Sequence, residues 1–225
     1  MYRLLVVHIA DPSPERANSD LTARARIRDA AIECFAEEGF AASFRTIAGR
    51  AEVSPGLITH HFGAKETLRG ECDTEVLRRY RELKMDAVAD PGGYLVQRLA
   101  APGGAAIVLV YMLRAVHAGG DAAGTFLESL IDDGRQVMAE AVRTGVIRPS
   151  HDEEARLRYL TYQTMGSMLV QFLLQPTLTP DEFVATLHAG GRDAILPVLE
   201  LYTDGLLTSR QMLEDYLDNL QQPPT

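Results

Sequence analysis

Two short helix signals lie close together between residues 43 and 62, and they limit the possible folds of this chain more than any other feature. Ser43 and Ser54 are residues of the kind that most often caps the N-terminus of a helix. Pro55 suits the first helical position, where its missing N–H is not needed. Only residues 52–53 separate the first segment from the second cap. The pattern therefore predicts two short helices joined by a tight turn.

A longer amphipathic segment precedes this pair. Its apolar residues recur at spacings of three and four, the period of a helix with one buried face: Ile27, Ala30, Ala31, Cys34 and Phe35. We expect a helix over residues 22–38, with Thr22 as its cap and Gly39 as the residue that ends it. Residues 1–20, which include Asp11-Pro12-Ser13-Pro14, are expected to form a flexible N-terminal leader.

The rest of the chain also has helical periodicity, without the alternation typical of strands. We expect helices over residues 65–85, 105–118, 124–144, 152–174 and 180–204, the last of them interrupted at Gly190-Gly191, and a final one around residues 212–220. The segment 105–118 is apolar nearly all round, which predicts a central buried helix. Ser150 and Thr179 are the expected caps of the helices that follow them. The predicted fold is all-α, with a three-helix domain over residues 21–68 and a larger helical domain over residues 69–225.

Charge is unevenly distributed along the chain. The net charge is −9, but the first 70 residues hold nine Lys/Arg and nine Asp/Glu, so the excess acid lies entirely in the remainder. A neutral head with clustered arginines can still bind DNA, whereas the acidic body contributes nothing to that attraction. Arg24, Arg26 and Arg28 on the first helix either contact DNA or form a solvated face, and the sequence leaves both readings open.

The cysteines and the hydropathy pattern limit the setting in which the chain works. Cys34 and Cys72 are too few and too far apart for a disulfide framework, and Cys34 on the apolar face of the first helix favours a buried thiol. No apolar run reaches the length of a membrane span, and the apolar segment Met1–Ala10 lacks the basic region of a signal peptide. We therefore expect a reducing, cytoplasmic setting and no membrane partner.

Two short capped helices behind a longer supporting helix follow the helix-turn-helix plan of DNA-binding proteins. Ser54, Pro55 and Gly56 are small, so the backbone at the start of the second helix can approach DNA closely. The free N–H groups at both capped ends suit phosphate oxygens. One apolar side is expected to lock the two helices onto the first: Ile47, Ala48, Val53, Ile58 and Phe62.

The residues of this segment also resemble a known family. The stretch from Phe44 to Leu68, FRTIAGRAEVSPGLITHHFGAKETL, looks like the helix-turn-helix of the TetR family of transcriptional regulators. The stretch before it, from Arg28 to Phe40 (RDAAIECFAEEGF), is similar to the family's first helix. The remainder resembles the family only in being helical and of suitable length.

The resemblance implies a homodimer that places the helix Ser54–Phe62 of each protomer in a major groove of a palindromic double-stranded DNA operator. Arg45 and Thr46 would contact phosphates, Pro55, Gly56 and Leu57 would lie near bases, and His60 and Lys65 would hold the DNA backbone. Ser54 and Thr59 complete the expected DNA-binding set. The C-terminal helices would dimerise, through residues 152–174 and 180–204, and would enclose a pocket for a small-molecule effector.

Three positions depart from the family pattern. Thr59 stands where the family very often has tyrosine, so one backbone or groove contact is in doubt. Ala64 replaces the usual serine cap of the fourth helix. Glu52 stands where glycine is common in the turn, so we expect a non-glycine residue with positive φ there, at some cost in strain.

Candidate pocket residues are weaker predictions than the DNA-binding set, because each is more often an ordinary core residue. The expected set is Tyr111, Met112, His117, Phe126, Tyr162 and Met165. His117 is the most interesting polar member, although a satisfied core histidine is the more frequent case. His60 and His61 point in different directions on a helix and have no further ligands at helical spacing, so no metal and no cofactor are expected.

The sequence therefore predicts a ligand-responsive repressor rather than an enzyme. A first alternative is a dimeric DNA-binding regulator that is controlled by a protein partner or by no small ligand. A continuous closed cavity between the helices at 105–118 and 124–144 would favour the small ligand, and a filled core there would favour the alternative. A distant alternative is an all-α enzyme, but no Gly-rich phosphate loop, metal cluster or nucleophile–base pair is present to support it.

Overall fold

A computed structural model describes residues 14–89, 105–175, 178–189 and 191–220 of the chain. These residues form no strand, which confirms the all-α prediction. Their helices are α1 (Pro14–Glu38), α2 (Phe44–Ala51), α3 (Pro55–Phe62), α4 (Lys65–Ala89), α5 (Ala105–His117), α6 (Gly120–Arg143), α7 (Glu153–Leu174), α8 (Pro180–Ala189), α9 (Gly191–Thr203) and α10 (Gln211–Leu220).

The first helix begins earlier than the sequence pattern predicted. α1 starts at Pro14, so Thr22 lies inside the helix rather than at its cap, and residues 14–20 of the expected flexible leader are helical. The apolar period begins only at Ile27, so the polar turns before it gave no signal of a buried face. Gly39 has φ +83° directly after the helix, as predicted. Residues 1–13 of the expected leader lie outside the described residues.

The helices α1, α2 and α3 and the start of α4 share one apolar core, which we call the head. It holds fully buried side chains from each helix, among them Ile27, Phe35, Ile47, Ile58 and Leu68. Burying a side chain of this size contributes about 2 kcal/mol of stability. Since α2 and α3 are only eight residues long, this packing, rather than helix propensity, stabilises them.

The central helix of the larger domain is α5, as its apolar character all round predicted. Eight of its thirteen residues are buried, because α1, α4, α6 and α7 all pack against it. Within this apolar run, Arg114 keeps a partly exposed side chain. The contact with α1 joins the head directly to the rest of the protein.

The two predicted caps in the C-terminal half have different outcomes. Thr179 accepts a hydrogen bond from the Glu182 N–H at 3.3 Å, and Glu182 Oε2 accepts one from the Thr179 N–H at 2.8 Å, so the expected cap is confirmed as a capping box. The prediction for Ser150 is wrong. Asp152 caps α7 instead, by accepting from the Ala155 N–H at 2.9 Å, while the Ser150 hydroxyl accepts from the Asp152 N–H.

The chain separates into two compact units, residues 1–183 and residues 184–225. The first unit contains the head together with α5, α6 and α7. The predicted domain boundary after residue 68 falls inside α4 and within this unit, so it remains a prediction. None of the helices in the described ranges is both long and apolar enough to span a membrane.

Candidate nucleic-acid interface

The N-terminus of each short helix is held by a serine, as predicted. Ser43 Oγ accepts a hydrogen bond from the Thr46 N–H at 3.1 Å, and Ser54 Oγ accepts one from the Leu57 N–H at 3.3 Å. Pro55 occupies the first turn of α3. Both serines are exposed, so the positive ends of the two helix dipoles face solvent, where an anion such as phosphate can approach.

The turn between these helices has the predicted strain. Glu52 adopts φ 54° and ψ 46°, and it is the one non-glycine with positive φ in the described ranges. This left-handed conformation costs about 1 kcal/mol for a residue with a Cβ. It lets the Val53 N–H donate to the Ala48 carbonyl at 3.0 Å, which closes the end of α2 and aims the chain at the start of α3.

The helix-turn-helix separates into a buried face and an open face. Ile47, Ala48, Ile58 and Phe62 are buried against α1, whereas Val53 is half-buried. None of the predicted DNA-binding residues is buried. Arg45, Ser54, Pro55, Gly56, Thr59 and His60 are exposed, and Thr46, Leu57 and Lys65 are partly exposed. The fold therefore places the whole set on the solvent side, and their contacts with DNA remain predictions.

The cations of the head differ in what they already contact. Within the described ranges, neither Arg45 nor Lys65 enters an ion pair, so both charges are available to a phosphate. Arg50 already forms ion pairs within the protein, since its guanidinium lies 2.5 Å from Glu37 and 3.6 Å from Glu33. The hydrogen bond with Glu37 raises the pKa of Arg50.

Arg24, Arg26 and Arg28 each have a partner within the protein, which neither of the two interpretations of the sequence included. Arg26 donates to the Ala51 carbonyl at 2.6 Å, at the C-terminal end of α2. Arg24 donates to the His61 carbonyl at 2.6 Å, at the end of α3. Carbonyl partners leave no local sequence pattern, so the sequence gives no signal for these contacts.

Arg28 belongs to a charge network between α1 and α4. The centre of the network is Glu75, which is only 8% exposed and accepts hydrogen bonds from Arg78 and Arg79 at 2.8 Å. The hydrogen bond from Arg78, the largest cause, helps to lower the pKa of Glu75 to about 2. Arg79 also reaches Asp29 of α1 at 2.6 Å, and Arg28 lies 3.7 Å from Glu75. The network therefore fixes the head to the middle of α4.

A second connection joins the head to α5. The buried Tyr111 hydroxyl donates to Asp73 of α4 at 2.6 Å, and the Arg69 guanidinium lies 3.8 Å above the ring of Phe40. Burial raises the pKa of the Asp73 carboxyl, while the Tyr111 hydrogen bond and the Arg69 charge oppose that shift. Arg114 of α5 also donates to the carbonyls of residues 36 and 37 at 2.6 and 2.7 Å. These carbonyls belong to the last turn of α1.

A cavity of about 250 Å³ lies between α4, α6 and α7. Its walls are mainly apolar, and a 2.7 Å ion pair between Arg81 of α4 and Asp133 of α6 lies at its lining together with Lys84. A smaller cavity of about 40 Å³, between α4, α5 and α7, shares four lining residues with it: Tyr80, Lys84, Thr164 and Met165. α4 is therefore a wall of both cavities.

Only two of the six predicted pocket residues line either of these two cavities. The larger cavity lies between α4, α6 and α7, rather than between the helices at 105–118 and 124–144. Met165 lines both cavities and Met112 lines the smaller one, whereas the other four candidates line neither: Tyr111, His117, Phe126 and Tyr162. Phe126 is core, and Tyr162 is half exposed. His117 is exposed at the C-terminal end of α5, because the apolar face of that helix ends before it.

The side chains that could bind a metal ion are not grouped for that purpose in the described ranges, and the two cysteines are buried. In the described ranges, no group of three or more His, Cys, Asp or Glu side chains could hold a metal ion. Cys34 and Cys72 are both buried and unpaired, and burial raises the pKa of both thiols. The prediction of a buried thiol at Cys34 is confirmed.

Comparison with known proteins identifies the family. Residues 27–72 match the model of "Bacterial regulatory proteins, tetR family", and residues 104–208 match "Tetracyclin repressor-like, C-terminal domain". The chain is 40% identical over 207 residues to the HTH-type transcriptional regulatory protein RaaS of Mycobacterium tuberculosis, covering 91% of this chain and 96% of RaaS. The chain belongs to the TetR family. It is a DNA-binding transcriptional regulator rather than an enzyme.

Solved structures similar to this TetR-family regulator match at lower identity. Salmonella enterica GusR is 21% identical with a TM-score of 0.46, and covers 81% of this chain and 96% of its own. The multidrug binding protein EbrR, in complex with imidazole, is 22% identical with a TM-score of 0.46, and covers 83% and 96%.

Proposed function

We propose that this TetR-family regulator is a homodimeric repressor that leaves its operator when a small organic molecule occupies the cavity between α4, α6 and α7. The observation that carries the proposal is the course of α4. The same helix packs into the head at its start and lines the cavity further along. Because the family's DNA binding takes place on bacterial DNA, we expect the protein to act in the cytoplasm.

The contacts along α4 supply a route from the cavity to the head. Leu68 is buried in the head and Glu75 is bound to α1, whereas Tyr80 and Lys84 line the cavity. From Lys65 to Tyr80 the helix rises about 22 Å. A tilt of about 5° over that length displaces one end by about 2 Å. Since the two half-sites of an operator lie about 34–36 Å apart, such a displacement takes one protomer out of register.

The lining of the cavity indicates the kind of effector. Side chains such as Leu130, Val137 and Leu157 favour an apolar body. The Arg81–Asp133 pair and Lys84 supply polar contacts that would fix its orientation. An occupant that separates Arg81 from Asp133 pushes α4 away from α6, and this is the motion that the head would follow.

On the DNA side, the proposed contacts are those of the exposed face of the helix-turn-helix. Arg45, Thr46, His60 and Lys65 would hold phosphates, with the free N–H groups behind Ser43 and Ser54 beside them. Pro55, Gly56, Leu57 and Thr59 would lie against base edges in the major groove. Support for this assignment comes from their exposure and from the unpaired charges of Arg45 and Lys65.

TetR regulators bind DNA operators and typically act as homodimers. For this chain, the proposed dimer surface includes the outer face of α7, where Tyr159, Val170, Leu173 and Leu174 are exposed and Leu174 reaches 76%. In the second unit, α9 and α10 also expose large apolar side chains, including Leu199 and Met212. Association that buries such apolar surface is favourable. We expect a palindromic operator, because a symmetric dimer presents two identical heads.

Selection of bound duplexes from a random-sequence pool, followed by light scattering of the protein alone and on the selected duplex, tests the DNA-binding and dimer parts. We expect a palindromic sequence and a dimeric mass. A monomeric mass on the DNA would exclude the two-half-site arrangement.

A library of small organic compounds, screened for release of that duplex, tests the cavity. Thr161→Phe fills the cavity from α7 and should abolish release by an active compound while it leaves DNA affinity unchanged. The matched control Thr125→Phe places the same ring on an exposed position of α6, outside the cavity. If the compound still releases DNA from Thr161→Phe, it acts elsewhere. If no compound releases DNA, control by a protein partner is favoured.

A further inference from the structure

Arg24 of α1 contacts two other helices, α3 and α4, at one point. Its NH1 group donates to the His61 carbonyl at 2.6 Å, in the last turn of α3. Its Nε and NH2 groups both donate to the carboxylate of Glu71 on α4, with Nε at 3.1 Å. The guanidinium carbon lies 4.6 Å from the centre of the Phe62 ring. One side chain of α1 thus binds the end of α3, which is proposed above to enter the major groove and is called the recognition helix below, and also binds the helix that follows it.

The recognition helix α3 depends on such a contact because it is short. With eight residues it has only Ile58 and Phe62 buried, and an isolated helix of this length is unstable in water. The carbonyls of its last turn have no partner within the helix, and a cation is favourable at that end of the helix dipole. Arg24 supplies both the donor and the charge at His61.

Glu71 determines where Arg24 points. A carboxylate that accepts two parallel N–H bonds fixes the plane of a guanidinium, and this leaves NH1 aimed at His61. The side chains of Arg24 and Glu71 are 39% and 34% exposed, so the pair is half-shielded from water. Each nitrogen of Arg24 donates inward, and the guanidinium is therefore not directed at a phosphate.

We infer that Arg24 and Glu71 form a positioning pair for DNA recognition, in which Glu71 orients Arg24 and Arg24 fixes the C-terminal end of α3. The inference rests on α3 as the recognition helix and goes beyond it, because neither residue touches DNA. It also gives an acidic residue a supporting role in binding a polyanion. On charge alone, removing a carboxylate from the head should strengthen DNA binding. If the two residues form a positioning pair, removing the charge of Glu71 should instead weaken DNA binding.

The experiment compares Glu71→Gln with a matched control, Glu66→Gln. Both remove one negative charge from the start of α4, but Glu66 is exposed and, within the described ranges, makes no ion pair. Affinities are measured by fluorescence anisotropy on two duplexes, one selected from a random pool and one scrambled. We expect Glu71→Gln to weaken the selected duplex by roughly five- to tenfold. We expect the scrambled duplex to change little and Glu66→Gln to weaken neither.

The ratio of the two affinities separates positioning from mere stability, because a loss of folded protein lowers the active fraction equally for both duplexes. Arg24→Lys keeps the charge but loses the two parallel N–H bonds to Glu71. It should therefore weaken the selected duplex as Glu71→Gln does and leave the salt dependence of binding unchanged. If Glu71→Gln tightens binding as the loss of a charge predicts, the inference is overturned. It is equally overturned if Arg24→Ala lowers the salt slope by one phosphate contact, about 0.9.

A DNA-free measurement keeps the inference testable if no duplex is selected. Hydrogen exchange of the peptide 55–62 should be at least about fivefold faster in Glu71→Gln than in the wild type, while that of α5 is unchanged. Equal exchange over 55–62 would show that the pair does not hold α3. A failed selection alone would count against the proposed operator and not against this pair.

Discussion

Replacing Tyr111 by phenylalanine removes a single hydroxyl group from the centre of the first unit. The ring is fully buried and its packing is kept, so the change isolates the 2.6 Å hydrogen bond to Asp73. A hydrogen bond to a charged group contributes about 1.5–3 kcal/mol. Because the Asp73 side chain is 23% exposed, water replaces part of that contribution. We therefore expect Tyr111→Phe to lower the free energy of unfolding by about 1.5–2 kcal/mol at neutral pH.

The pH dependence of this loss has a definite sign. Burial raises the pKa of Asp73 in the folded chain, so ionising it costs stability as the pH rises from the unfolded-state pKa through the folded-state pKa. The Tyr111 hydroxyl offsets part of that cost, and only while Asp73 is ionised. The loss in Tyr111→Phe should therefore be full above the folded-state pKa and fall to about 1 kcal/mol or less below it, where the carboxyl is neutral.

Urea unfolding at the same protein concentration, over a series of pH values from about 7 downward, measures both effects. The matched control is Tyr159→Phe on α7, since Tyr159 is 66% exposed and its loss of a hydroxyl should have little effect. A loss below about 0.5 kcal/mol at neutral pH would refute the assigned hydrogen bond. A loss that stays the same across the whole pH series would refute the reasoning about the ionised state of Asp73.

Four further results are expected in the head. Alanine in place of Arg45 or Lys65 should weaken DNA binding and reduce the salt slope by about 0.9 for each lost phosphate contact, in titrations at several salt concentrations; an unchanged slope would exclude the contact. Leu57→Ala should alter the sequence preference in a selection, and equal weakening on selected and scrambled DNA would remove it from base readout. Ser54→Ala should lower the unfolding free energy by about 1 kcal/mol, and an unmoved urea midpoint would contradict the cap. Glu52→Gly should raise that free energy by about 0.5–1 kcal/mol by relieving the positive φ, and a destabilised variant would show that the turn is not strained.

The head was predictable from the sequence because the signals that define its helices are local. Ser43, Ser54, Pro55 and Gly39 each act within a few residues of their own position, and the structure places them as predicted. Even Glu52, a departure from the family pattern, was predictable because the turn demands one backbone conformation from whichever residue stands there. Where two local signals compete, as at residues 150 and 152, the pattern could not decide which of them caps the helix.

The features that could not be predicted from the sequence, namely the partners of three arginines and the position of the cavity, depend on long-range contacts. Arg24, Arg26 and Arg28 read as surface cations, and their partners lie in other helices or on backbone carbonyls that any residue carries. The cavity gave no signal in the sequence either, since most of its lining comes from three separate helices and its polar residues are divided between α4 (Tyr80, Arg81, Lys84) and the other two (Asp133, Thr161, Thr164). His117 lines neither cavity, because the buried part of α5 ends before it and its side chain is exposed.

The hydrogen bonds from Arg114 to the end of α1 affect how the head of such a regulator could be joined to a different sensing domain. A cut after residue 68, the boundary that the sequence predicts, would remove the Arg114 guanidinium from the carbonyls of residues 36 and 37 and would separate Arg28 of α1 from Glu75 of α4. The head is therefore not an independent cassette. A chimera that joins this head to another sensing domain must therefore carry α4 and α5 with it, or the new domain must supply an arginine at the place of Arg114 and a carboxylate at the place of Glu75.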